Sequence, residues 1–241
     1  MAVQPLLTSE GNMALQAKHF EVERKYRVGE HDFPGIAQLL AKMRFSKSSA
    51  RQKDTYLTSP AEGVNRRVRK ERVKGSSPLK RYYLTCKRKV QEGGVANEED
   101  EVSISKETYR RLADTEPLIS SGMSVVVRKG RVHFRGSFEG RAVTVCLDRV
   151  WGSGGFDLGF FVELEVLVKA AQEIEDAHEL LSRLRQKILP ASAIRERRGY
   201  RSLVLEQIRN ARPDCATTGG EAVVVNAEPG GTDATVRGAI D

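Results

Sequence analysis

Segments in which every second residue is apolar recur along most of this chain. Such alternation places successive side chains on opposite faces of a β-sheet. Eight segments show it, namely FEVERKYRV (20–28), RQKDTYLT (51–58), NRRVRK (65–70), RYYLTCKRKV (81–90), EEDEVSI (98–104), SVVVRKGRVHF (124–134), RAVTVCLDRV (141–150) and FFVELEVLV (160–168). Joints that contain Gly or Pro separate several of them and favour antiparallel connections. The pattern therefore predicts a closed or nearly closed antiparallel sheet.

Apolar residues at helical spacing predict helices between these strands. Residues 34–43 and 171–188 each show an apolar stripe, and two shorter helices are predicted at 106–114 and 201–208. Each stripe must be buried, so the predicted fold class is α+β, an eight-stranded antiparallel β-barrel with helices packed on its outside. We predict one domain over 19–210, an N-terminal extension over 1–18, and a disordered tail over 211–241, which lacks periodicity.

The charged faces of the predicted strands are as regular as the apolar ones. Glu21, Glu23 and Lys25 share one face of the first strand, and Glu163 and Glu165 share one face of the last. If the helices cover the apolar faces, the charged faces point into the lumen. A barrel of about eight strands is just wide enough to be filled by side chains or to hold one small ligand. The sequence therefore predicts an ionic lumen.

Acids and bases recur in phase on the other strands too. The in-phase sets are Arg67 and Arg69; Thr85, Lys87 and Lys89; Glu99 and Glu101; Lys129 and Arg131; and Thr144 and Asp148. Burying so many carboxylates without compensation would cost several kcal/mol per ion, so we expect divalent cations beside the Lys and Arg side chains. Closely spaced carboxylates suit Mg²⁺ or Mn²⁺. The remaining bases suit a ligand with several phosphates, and a linear triphosphate is the simplest.

The overall composition limits the cell compartment and the partners. A net charge of +8 fits an anionic partner, which nucleic acid, a membrane surface or a small polyanion would satisfy. No apolar run reaches the roughly 18 residues of a membrane span, and residues 1–20 lack the basic start and apolar core of a signal peptide. The 3 Cys residues lack zinc-site spacing and are odd in number. A reducing, cytoplasmic location without membrane contact is expected.

The first strand also carries a resemblance to a known family. Glu21-Val-Glu23-Arg-Lys25 resembles the E-x-E-x-K signature of the CYTH superfamily, the triphosphate tunnel metalloenzymes, which include class IV adenylyl cyclases and thiamine triphosphatase-like enzymes. Further similar motifs follow in the family's order, namely Asp54-Thr-Tyr56, Arg67-Val-Arg69, Leu84-Thr-Cys-Lys87, Glu99-Asp-Glu101, Lys129-Gly-Arg131, Asp148 and Gly159-Phe-Phe-Val-Glu163-Leu-Glu165. The ordered series is more specific than the single signature.

The resemblance implies a metal-dependent site for a triphosphate inside an eight-stranded tunnel. It also implies roles for the matching residues. Those implied to hold metal are Glu21, Glu23, Asp148, Glu163 and Glu165, and those implied to bind phosphates are Lys25, Arg67, Arg69, Lys129 and Arg131. Tyr56 and Lys87 match the pair that is thought to help activate the attacking water in the hydrolase branch.

Three functions are compatible with these residues. The first is hydrolysis of inorganic tripolyphosphate, thiamine triphosphate or a nucleoside triphosphate with release of orthophosphate. The second is an adenylyl cyclase that makes cyclic AMP and pyrophosphate from ATP. The third is a non-catalytic module that binds polyphosphate or RNA, but binding a polyanion would not require acids on several strands. We therefore expect a hydrolase that acts on a small triphosphate, and not a nucleic-acid partner.

Overall fold

Long antiparallel strands are the main structural elements of the protein. A computed structural model describes residues 20–59, 61–75, 79–89 and 96–211 of the 241-residue chain. Its long strands are β1 (Phe20–Val28), β2 (Ser46–Leu57), β3 (Val64–Val73), β4 (Lys80–Lys89), β5 (Ala96–Ser103), β8 (Val126–Phe138), β9 (Arg141–Trp151) and β10 (Asp157–Val168). Shorter strands are β6 (Ile119–Ser120), β7 (Met123–Ser124) and β11 (Ile194–Glu196), and the helices are α1 (Asp32–Lys42), α2 (Lys106–Thr115), α3 (Ile174–Ile188) and α4 (Tyr200–Asn210).

The long strands close into a barrel. Their order is β10-β9-β8-β2-β3-β4-β5-β1, and β1 pairs with β10 from Phe20↔Val168 to Val28↔Phe160. The other edge of β1 pairs first with β5 and then with the short strand β11. The prediction of an eight-stranded antiparallel barrel with helices outside it is thereby confirmed. The predicted N-terminal extension and the tail beyond residue 211 lie outside the described residues.

Helix α3 covers the apolar outer face of β1 and β10, as the helical spacing of residues 171–188 predicts. Leu181 and Leu184 are fully buried there against Val22 and Leu164. Full burial of a side chain of this size contributes about 1.5–3 kcal/mol relative to exposure. With its outer face covered in this way, the strand pair must direct its other face, which carries Glu163, into the barrel.

Helix α2 covers another part of the barrel, over β2, β3 and β4. Its N-cap Ser105 accepts a hydrogen bond from the Thr108 amide at 3.1 Å, which satisfies one of the unpaired amides of the first turn. Tyr109 and Leu112 pack from this helix onto Leu57 and Val68.

Helix α4 lies against inward-facing residues at one end of the barrel. Leu203, Val204 and Ile208 join an apolar cluster with inward residues of β2, β8, β9 and β10, namely Tyr56, Val127, Val150 and Phe161. These strand residues point into the barrel and α4 packs against them, so α4 closes that end of the lumen.

Among the described residues, no helix combines the length and the apolar character that crossing a bilayer requires.

Candidate active site

The lumen is lined by charged side chains, as the strand alternation predicts. The buried charged residues of the inner wall are Lys25, Asp54, Arg69, Lys129, Arg131, Asp148 and Glu163. The other predicted site residues also project from inward positions of their strands, and these are Glu21, Glu23, Tyr56, Arg67, Lys87 and Glu165. The structure therefore brings all the predicted site residues to the inner wall of the barrel, where all except Tyr56 fall into three groups.

The first group surrounds the carboxylate of Asp54 with bases. Arg69 donates to both of its oxygens, from Nε at 2.7 Å and from Nη2 at 3.1 Å. Nη1 of Arg67 and Nζ of Lys129 each lie 3.5 Å from Oδ2. Burial alone would raise the pKa of Asp54, but Arg69 and the other two cations hold it well below its usual range. This group keeps a surplus of positive charge.

The second group is built around Arg131. Its Nε donates to Asp148 at 2.7 Å, and its Nη2 contacts both Asp148 and Glu163. Lys25 Nζ lies 3.9 Å from Glu163. Asp148 also accepts a hydrogen bond from the Tyr200 hydroxyl at 3.0 Å. Asp148 and Glu163 are therefore engaged by bases, and Asp148 fixes the guanidinium of Arg131.

The third group is a cluster of carboxylates around Lys87. The Lys87 Nζ lies 2.6 Å from Glu21 Oε2, 3.0 Å from Glu23 Oε2 and 3.3 Å from Glu99 Oε2. Burial lowers the pKa of Lys87, but these carboxylates outweigh it and hold the pKa well above its usual range. For Glu21 the effect of burial is the larger one. Burial raises the pKa of Glu21 well above its usual range, because the Lys87 ammonium offsets only part of that effect.

Glu165 extends the acidic cluster toward Arg131, whose Nη1 lies 3.9 Å from its Oε1. Burial, together with repulsion from Glu163 and Glu23, raises the pKa of Glu165 to about 7. Carboxylates that resist ionisation in this way would be stabilised by an additional cation. The cluster therefore carries more negative charge than its lysine balances.

The donors in this cluster fit a hard divalent cation by their chemistry. Glu21, Glu23 and Glu99 converge on the Lys87 ammonium, which already occupies a position suited to a cation. Among the described side chains, no group of three or more His, Cys, Asp or Glu is spaced to hold a metal ion as it stands. The lysine and arginine contacts account for this spacing, so metal binding would require the ammonium of Lys87 to move aside.

Tyr56 and Lys87 lie in different surroundings within the lumen. Tyr56 is buried in the apolar cluster beneath α4 and its hydroxyl faces Arg67, while burial raises its pKa. Lys87 contacts the carboxylates described above. The contacts of Tyr56 place it near the closed end, and those of Lys87 place it among the acids.

Several lining residues were not predicted as site residues. Asp54 sits at the centre of the first basic group, and its in-phase position between Gln52 and Tyr56 was the available signal. Tyr200 reaches the lumen from α4, with the Lys25 ammonium 4.2 Å and the Lys129 ammonium 5.2 Å from its ring centroid. Nothing in the short motif around Tyr200 identifies these partners, because they come from distant strands.

Comparison with known proteins agrees with this architecture. The CYTH domain profile matches residues 19–200. The structure of the PH1819 protein of Pyrococcus horikoshii OT3 is 27% identical, with a TM-score of 0.59 over 78% of this chain and 99% of that one. A conserved hypothetical protein of Pyrococcus furiosus is 24% identical, with a TM-score of 0.53 over 76% of this chain and 99% of that one.

A third similar structure, the PH1012 protein of Pyrococcus horikoshii OT3, is 21% identical, with a TM-score of 0.52 over 76% of this chain and 99% of that one. A search of curated proteins gives no significant match. The profile match spans the barrel from its first strand to the start of α4, and the structural matches show the same fold. The chain belongs to the CYTH domain family.

Proposed function

We propose that this protein is a divalent-metal-dependent phosphohydrolase that releases orthophosphate from a small triphosphate. The observation that carries the proposal is the division of one lumen into a basic part and an acidic part. Bases exceed acids around Asp54, whereas carboxylates exceed bases around Lys87. A triphosphate needs cationic groups along its length and a metal at the phosphoryl group that is transferred.

The basic part supplies residues to bind the phosphates. Arg69 and Arg131 are held by bidentate contacts with Asp54 and Asp148, which orient their guanidinium groups before any ligand binds. Arg67 and Lys129 contact Asp54 at the longer distance of 3.5 Å. Lys129 can therefore turn toward phosphate oxygens at a smaller cost in existing contacts, whereas Arg67 also donates to Glu99 at 3.3 Å and would have to exchange both carboxylates for phosphate. We assign Lys25 to the same role.

The acidic part supplies oxygen ligands for Mg²⁺ or Mn²⁺. We assign this role to Glu21, Glu23 and Glu165, with Glu99 beside them, and to Glu163, which would have to exchange its contacts with Arg131 and Lys25 for the metal. Asp148 was predicted as a further ligand, but its contacts with Arg131 and Tyr200 favour a role in positioning Arg131. When bound, the metal would polarise the phosphoryl oxygens and neutralise their charge.

Product identification tests the reaction. The full chain would be incubated with tripolyphosphate, thiamine triphosphate or ATP in Mg²⁺ or Mn²⁺, and the products separated by chromatography. We expect orthophosphate from all three substrates. Tripolyphosphate should be preferred, since the described lining residues are suited to bind phosphates and metal rather than an organic group. Cyclic AMP and pyrophosphate as the main products from ATP would instead establish the cyclase reaction, and the absence of turnover would leave only a binding module.

Replacement of Arg67 is expected to weaken substrate binding. Arg67→Gln removes a cation that the basic part can offer to phosphate, so KM for tripolyphosphate should rise about tenfold or more. Arg66→Gln is the matched control, because the neighbouring Arg66 faces outward and contacts Glu116 at 3.2 Å. Initial-rate kinetics would measure both. Equal KM values in the two variants would contradict the assignment of Arg67 to phosphate binding.

Replacement of the Tyr56 hydroxyl is expected to affect turnover more than binding. Tyr56→Phe keeps the buried ring and removes only the hydroxyl that we propose to act with Lys87 on the attacking water, so kcat should fall about tenfold or more with little change in KM. Tyr26→Phe is the control, since Tyr26 is buried in the cluster that α3 covers. If the two variants have the same kcat, Tyr56 is a packing residue only.

A further inference from the structure

A group of basic side chains lies on the outside of the barrel, opposite the charged lumen. On β2, Gln52 and Asp54 point inward, so Arg51 and Lys53 point outward, and both are exposed. The strand register places further Lys and Arg side chains beside them. We call the resulting set the outer basic strip, and it consists of Arg51, Lys53, Lys70, Arg72, Lys80 and Arg128.

The strip consists of two rows that run across neighbouring strands. In one row, Arg72 of β3 is directly opposite Arg51 of β2 on one side and Lys80 of β4 on the other. In the other row, Lys53 is opposite both Lys70 and Arg128. Side chains directly opposite each other in a sheet have Cβ atoms about 4.5–5.5 Å apart. The rows therefore hold cations at close and regular spacing.

Like charges placed opposite each other destabilise a sheet, and here Asp114 relieves the repulsion at Lys53 only in part. Within the described residues, no member of the strip forms an ion pair with a carboxylate. Burial, followed by repulsion from Arg128 and Lys70, lowers the pKa of Lys53, and Asp114 opposes this shift only in part. By contrast, the nearby Arg149 is paired with Asp157. The strip thus offers uncompensated charge to an anionic partner.

Aromatic side chains lie at both ends of the second row. Tyr82 is opposite Lys70, and Trp151 is opposite Arg128. A Cβ at Gly130 would lie at an ordinary van der Waals distance of 4.0 Å from an atom of the Trp151 ring, so the indole lies beside Gly130 of the neighbouring strand. Trp151 therefore lies over the outer face beside the cations. Both residues are partly exposed, but Tyr82 packs on Tyr109 of α2 and the Arg149 guanidinium lies over the Trp151 ring, so a base would stack on the remaining face of each ring.

We propose that the outer basic strip binds a single-stranded nucleic acid. Five strands at about 4.8 Å spacing span roughly 19 Å, enough for several nucleotides of an extended chain. The cations would contact the phosphates, and Trp151 and Tyr82 would stack on bases, the combination that single-strand binding surfaces use. The sequence expectation of no nucleic-acid partner rested on the acids of several strands, and it took the outward Lys and Arg residues as solvated, because the alignment of these cationic side chains across four strands depends on register.

Trp151 gives a direct measurement because the chain has 1 Trp. The full chain would be titrated with unlabelled oligouridylate and oligothymidylate of about 15 nucleotides. We expect quenching of the tryptophan fluorescence as bases stack on the indole. Inorganic polyphosphate and vesicles of anionic phospholipid carry phosphate without bases, and neither should quench the signal. Quenching by vesicles alone would replace the proposal with a membrane surface, and an unchanged signal with the oligonucleotides would overturn it.

Charge variants test the same surface independently of stacking. In Lys53→Gln/Arg128→Gln, fluorescence anisotropy with a labelled oligonucleotide should show an affinity about tenfold lower and a salt-dependence slope smaller by about 1.4. The control is Lys42→Gln/Lys187→Gln, which removes the same charge from the α1 and α3 side. Equal loss in both double variants would show attraction by net charge only and overturn the proposal. Triphosphate hydrolysis should be unchanged in both, so this test is independent of the tunnel's activity.

Discussion

Removal of divalent cations with EDTA is expected to lower the rate of tripolyphosphate hydrolysis by about a thousandfold or more. Burial raises the pKa values of Glu21 and Glu165, and repulsion from neighbouring glutamates, Glu23 among them, adds to both shifts. A polyanionic substrate would add to that repulsion if no metal were bound. A metal ion supplies several kcal/mol of charge stabilisation in such reactions, and each 1.36 kcal/mol is tenfold in rate. Excess Mg²⁺ or Mn²⁺ should restore the activity.

Metal binding can be measured without turnover, by titrating Mn²⁺ into the full chain and following its electron paramagnetic resonance signal. Glu23→Gln should weaken Mn²⁺ binding, because it removes one of the few charged oxygen ligands in the cluster. Glu175→Gln is a matched control, since Glu175 lies on the exposed side of α3. Full hydrolysis in EDTA, or equal Mn²⁺ affinity in both variants, would refute the assignment of the acidic cluster to metal.

The inward faces of the barrel could be predicted because charge alternates as regularly as apolar character. On β1 and β10 the apolar sets are continuous enough to require cover, and α3 provides it. The helix boundaries were less accurate, since α1 begins at Asp32 and α3 proper begins at Ile174, after a turn of 3₁₀-helix. Helix ends depend on local capping and packing, which an apolar stripe does not define.

The partners of each charge could not be predicted, because they depend on register and on packing at the closed end. Asp148 alternates in phase with Thr144 like any lumen residue, and only the fold shows that Arg131 and Tyr200 saturate it. In the sequence, Lys87 is also one basic residue among several on a basic strand. In the fold it lies among glutamates from β1 and β5. Alternation predicts which side of a strand a residue occupies, and the tertiary fold decides what it meets there.

Replacement of Asp54 is expected to cause the largest loss of stability of any single charge change in the lumen. Asp54→Asn would leave Arg69, Arg67 and Lys129 close together without their shared carboxylate. Removal of one partner from a buried ionic group lowers the free energy of unfolding by about 3–5 kcal/mol. Urea denaturation would measure the free energy of unfolding. Asp157→Asn, which breaks the exposed pair with Arg149, is the control and should cost less than about 1 kcal/mol.

The dependence of this difference on pH follows from the direction of the Asp54 pKa shift. The pKa of Asp54 in the folded protein lies well below the value of about 3.9 for an unfolded chain. Above that value both states are ionised, and the contribution of the carboxylate is fully present. As the pH falls below it, the unfolded chain takes up a proton first, and the contribution is lost progressively down to the folded-state pKa. The stability difference between the wild type and Asp54→Asn should therefore be largest near neutral pH and should shrink below about pH 4, whereas a constant difference would mean that Asp54 acts by packing and not by charge.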